Sequence, residues 1–175
     1  MTLSGAKRIC TDGMLICIAM VLSYIEAVFP ISLLIPLPGV KLGFANIAVM
    51  LCFYCISPFD ALLVGLIRIL LTQILFGTVT GLWFSLGGFA LSYLGLLIAL
   101  IPFRKKKISF YGVGVLSAAL HNCGQIGAAI VVFDTTGVIS YLPILLVVAI
   151  ITGLISGLCT TPISKLKVFS KKKYA

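Results

Sequence analysis

The chain has 175 residues, 61% of them hydrophobic and only 10% charged, with a mean hydropathy of +1.25. Soluble domains carry about 25% charged residues, and a domain this small keeps too large a surface fraction to hide so much apolar area. A soluble fold is therefore excluded, and the net charge of +9, gathered in short basic ends, suits anionic lipid headgroups rather than nucleic acid.

A membrane-spanning helix needs about 20 apolar residues, and six candidates follow one another along the chain: 12–29, 44–57, 59–77, 81–101, 111–133 and 141–163. Lys7 and Arg8 precede the first. No small-residue cleavage site follows it, so it is a retained helix rather than a signal peptide. Ala19, Ser23 and Ala27 repeat at four along it. Such a stripe lets helix backbones approach closely, and it is expected to meet a helix of a partner subunit. Next comes "PISLLIPLPGVKLG", where Pro30, Pro36, Pro38 and Gly39 forbid a regular helix. Apolar but irregular backbone is tolerated near a membrane only where protein or water satisfies its polar groups, so this stretch reads as a structured outer loop carrying Lys41.

The second span is short and ends at Pro58. Its "CFYC" has metal-like spacing but no further Cys or His close by, so no metal site is expected. The third span carries Arg68 and Gln73, and the fourth carries Ser85, Gly87, Gly88 and Ser92. "PFRKKKIS" separates the fourth from the fifth, "GVLSAALHNCGQIGAAIVVF", which holds His121, Asn122 and Gln125 at its middle. The sixth has Gly153 and Gly157 at close-packing spacing.

Six spans put eleven basic residues on one side: Lys7, Arg8, Arg104, Lys105, Lys106, Lys107, Lys165, Lys167, Lys171, Lys172 and Lys173. The positive-inside rule makes that side cytoplasmic. The expected architecture is all-α: one polytopic domain over residues 1–175, with six transmembrane helices and basic cytoplasmic ends at 1–11 and 164–175.

Polar and ionisable residues inside a membrane are costly, and functional until shown otherwise. Arg68 falls near mid-depth, where a lone guanidinium costs about 3 kcal/mol or more. Four acidic residues exist in the chain, and Glu26, near the outer end of the first span, is the one expected within the membrane. Two readings stay open. Arg68 and Glu26 form a structural pair, or Arg68 takes an anionic group of a ligand, for which its planar fork is suited. His121 and Gln125 are four apart and share a helix face. They and Asn122 either glue helices together or, with Lys41, Asn46 and Arg68, line a ligand site.

"LPGVKLGFANIAVM", "LIRILLTQILFGT", "SLGGFALS", "HNCGQI" and "YLPILLVVAIITGLISG" resemble the Gx transporter family, also named heptaprenyl diphosphate synthase component I. That family in turn is similar to the substrate-binding components of energy-coupling factor transporters. The resemblance implies a multi-pass protein of the bacterial cytoplasmic membrane, with both termini cytoplasmic. It also implies a small-molecule ligand taken from outside and a partnership with a second membrane subunit and two ATPases. The alternative family name implies instead a membrane accessory to a soluble polyprenyl synthase subunit.

Prenyl chain elongation holds Mg²⁺ with clustered carboxylates, whereas the acidic residues here are isolated. The chain also lacks a P-loop and a nucleophile–base pair, with His121 its one histidine. It is expected to be a non-catalytic subunit without a cofactor.

Overall fold

A computed structural model describes residues 5–28 and 43–166. Lys41 and the residues from Lys167 onward lie outside the described residues. The described chain forms α1 (Gly5–Val28), α2 (Asn46–Cys55), α3 (Pro58–Phe76), α4 (Val79–Arg104), α5 (Phe110–Phe133), a 3-10 turn (Thr136–Tyr141) and α6 (Leu142–Ile163).

Five of these helices are long and apolar enough to cross a membrane; α2 is not. The expected second span at 44–57 is corrected accordingly. Ten residues of helix rise about 15 Å, half of an apolar layer of about 30 Å. Residues 46–54 are all buried, so α2 is an internal plug that never meets lipid. Its end is set locally. Pro58 starts α3 at its first turn, where a missing N–H costs nothing, and Ser57 caps that helix by accepting from the Phe59 amide.

The helix directions follow from contacts near their ends. Arg8 donates twice to Asp60, at 2.6 and 2.5 Å, while Tyr24 and Phe76 meet edge-on at the opposite ends. α1 and α3 therefore run parallel. Tyr93 of α4 donates to the Pro58 carbonyl at 2.8 Å, and Gln73 donates to the Gly81 carbonyl and to Ser85. α4 thus runs antiparallel to α3, and α5 and α6 alternate in turn. Lys7, Arg8, Arg104 to Lys107 and Lys165 consequently gather at one end of the bundle. α2 fills the half nearest that end: Cys52 lies 3.7 Å from Asp12, and the Tyr54 ring packs on Phe103 and Phe110.

Glycine sets the packing of α4, α5 and α6. Lipid is as apolar as leucine, so helices associate in it by close backbone approach rather than by hydrophobic drive. A Cβ at Gly87 would sit 2.7 Å from the Gly124 carbonyl oxygen, and one at Gly157 would sit 2.6 Å from Tyr111 Cα. Gly114 and Gly153 abut in the same way.

The small-residue stripe of α1 faces inward, against the expectation of a partner contact. Ala19 and Ser23 are fully buried, and Ser23 Oγ takes a long hydrogen bond from Arg68. Small side chains there bring α1 close to α3 of the same chain. Ala27 is the remaining member, and its side chain lies outside the described residues.

Candidate functional site

Arg68 is the eleventh residue of α3, about 15 Å from its start at 1.5 Å per residue, and His121 lies at the middle of α5. Both are buried, at 5% and 3% exposure. Arg68 donates through Nη2 to Asn46 Oδ1 at 3.0 Å and through Nη1 to Ser23 Oγ at 3.5 Å. Asn46 is the first residue of α2, so the plug begins where the arginine sits.

Gly43 joins this group to His121. It has φ +86°, a left-handed conformation that favours glycine. A Cβ there would lie 3.1 Å from both Asn46 Nδ2 and His121 Cδ2. The glycine backbone therefore passes close over the amide and the imidazole together. On its other side His121 lies against Gly88 of α4, where a Cβ would sit 2.6 Å from His121 Cε1 and 3.0 Å from Gln125 Cγ. Gly87 brings the α4 and α5 backbones together, while Gly88 makes room for these two side chains.

Glu26, one turn from Ser23 on α1, is buried and accepts the Phe44 backbone N–H. It lies close enough to act electrostatically on Arg68. The one direct ion pair among the described residues is Arg8 with Asp60. Arg68 and Glu26 are therefore charge neighbours, each hydrogen-bonded elsewhere. Glu26, His121 and Gln125 are engaged in further interactions as well.

The structure thus brings together Asn46, Arg68, His121 and Gln125, with Glu26 beside them. Asn122 stands apart. It sits about 100° round the helix from His121 and donates to the Leu145 carbonyl at 2.7 Å, which corrects its expected place in the same wall. It ties α5 to α6. Thr72, one turn beyond Arg68 on the same face of α3 and 1% exposed, was not singled out in the sequence. Its signal was the four-residue spacing from Arg68.

A bundle of membrane-length apolar helices around a buried polar centre defines a multi-pass helical membrane protein. A family model for heptaprenyl diphosphate synthase component I matches residues 15–163, and the chain belongs to that family. Component I is a non-catalytic subunit of that synthase. No curated protein and no solved structure matched the chain.

Proposed function

We propose that this protein is a membrane-embedded binding subunit that takes up a small anionic or strongly polar molecule, as the substrate-binding components of energy-coupling factor transporters do. The observation carrying this reading is the convergence of Arg68, Asn46 and His121 from three separate helices on one buried place. An ionisable side chain at that depth is expensive and is usually kept for function. In this reading Arg68 takes the charged group, and the Asn46 and Gln125 amides and His121 read the polar edges. Glu26 orients the arginine. Asn122 supports the wall from behind.

The basic end is cytoplasmic in this proposal, by the positive-inside rule, and the ligand enters from the opposite side. A second membrane subunit with two ATPases would supply the energy. The second reading is a membrane accessory whose basic end docks a soluble polyprenyl synthase subunit. The family description and the gathering of Arg8, Arg104 to Lys107 and Lys165 at one end favour it.

Native mass spectrometry of the protein purified in mild detergent separates the two. Uptake predicts a bound small molecule in the wild type, its occupancy reduced at least about tenfold by Arg68→Gln, since a charged hydrogen bond is worth about 1.5–3 kcal/mol. The accessory reading predicts a co-purifying soluble protein, lost on neutralising Lys105 to Lys107 and indifferent to Arg68→Gln.

A further inference from the structure

The proposed uptake role leaves the chemical class of the ligand open, and the inference here rests on that role. Three buried polar atoms, on Arg68, on its partner Asn46 and on Thr72 one helical turn from Arg68, have no hydrogen-bond partner among the described residues: Arg68 Nε, Asn46 Nδ2 and Thr72 Oγ1. The first two can only donate, and the third can donate. Asn46 has its orientation imposed. A guanidinium has no acceptor, so it must meet the amide oxygen, and the NH2 group is turned toward Gly43 and His121. Side chains on a helix lean toward its N-terminus, which lays the Thr72 hydroxyl over the turn that carries Arg68.

An unmet buried donor is costly. Three on neighbouring positions, all able to give a proton and two unable to accept one, ask for a group made only of acceptors. We infer that Arg68 Nε, Asn46 Nδ2 and Thr72 Oγ1 are the donor set for a carboxylate group of the ligand. A carboxylate has two oxygens with about four lone-pair sites, enough for three donors. Glu26 already acts on Arg68, so a singly charged group is accommodated where a doubly charged phosphate would be repelled.

The test is thermal unfolding of the full chain in detergent with formate, acetate or phosphate at constant ionic strength, chloride serving as control. Wild type, Asn46→Asp, Thr72→Val and Arg68→Gln are compared. Asn46→Asp keeps an acceptor for Arg68 while removing the NH2 donors, and Thr72→Val keeps the side-chain shape without its hydroxyl. Formate and acetate should raise the wild-type midpoint. Each of the first two variants should need about tenfold more anion or greater for the same rise, the loss of one charged hydrogen bond. In chloride, Thr72→Val should unfold at or above the wild-type temperature, since its hydroxyl has no partner to lose.

An unchanged anion response in both Asn46→Asp and Thr72→Val, with loss in Arg68→Gln, would overturn this donor set while leaving the uptake role standing. Stabilisation by phosphate but not by formate or acetate would overturn the carboxylate assignment. No stabilisation of the wild type by any of the three would also overturn it. The uptake role itself is judged separately, by the small molecule seen in native mass spectrometry.

Discussion

Gly153→Leu is expected to abolish the folded bundle in detergent, leaving protein that inserts but aggregates on extraction. Gly153 faces Gly114 and Val115 of α5 backbone to backbone, with no side chain in between that could move aside. Overpacking a core by even a few methylenes costs about 1–3 kcal/mol when neighbours can adjust. Here the neighbour is main chain, so the helices must separate. Separation would also strain the Asn122 bond to the Leu145 carbonyl, two turns along the same interface, and a buried amide left unmet adds its own cost. Size-exclusion chromatography reads the outcome directly. A monodisperse Gly153→Leu protein with wild-type thermal stability would show that α5 and α6 do not pack as described.

Arg68→Leu is expected to be strongly destabilising, in contrast to Arg68→Gln. Leucine leaves Asn46 Oδ1 without its donor and leaves the buried Glu26 without its neighbouring positive charge. Leaving a buried acceptor without its donor costs about 1–3 kcal/mol, and more where a charge is involved. Glutamine can still donate to Asn46, and it carries a smaller cost within the membrane. Adding Glu26→Gln to Arg68→Leu should recover part of the loss, because the second substitution removes the charge that Arg68 had favoured. The four-member cycle of unfolding midpoints isolates that coupling. Equal midpoints for wild type and Arg68→Leu would mean that Arg68 and Glu26 do not sense one another.

Five membrane-length helices and their breaks at Pro58, Gly77 and the Arg104–Lys107 cluster were legible from apolar length and turn residues. The half-length α2 was harder to read. A helix buried on every side and a helix facing lipid are both apolar all round, so hydropathy does not separate them. The stripe on α1 announced close packing, expected against a partner subunit, whereas it meets α3 of the same chain through Ser23 and Arg68. Arg68 and His121 stood out as isolated polar residues at similar depths. That they share a place depended on Gly43 and Asn46, whose contacts arise from the entry into α2 and have no period in the sequence. Gly88 carries no signal of its own in the fourth span, and its neighbour is an imidazole. Thr72 is an ordinary residue in an apolar helix until its hydroxyl is seen to lack a partner.

The polar centre between α2, α3 and α5 is proposed to hold a ligand. An experimental structure of the protein with the small molecule that co-purifies with it tests this most directly. Ligand density is expected within hydrogen-bond distance of Arg68 Nε and Asn46 Nδ2, with His121 at its edge. Density confined to the lipid-facing surface or to the basic end, with Arg68 touching only Ser23 and Asn46, would contradict it.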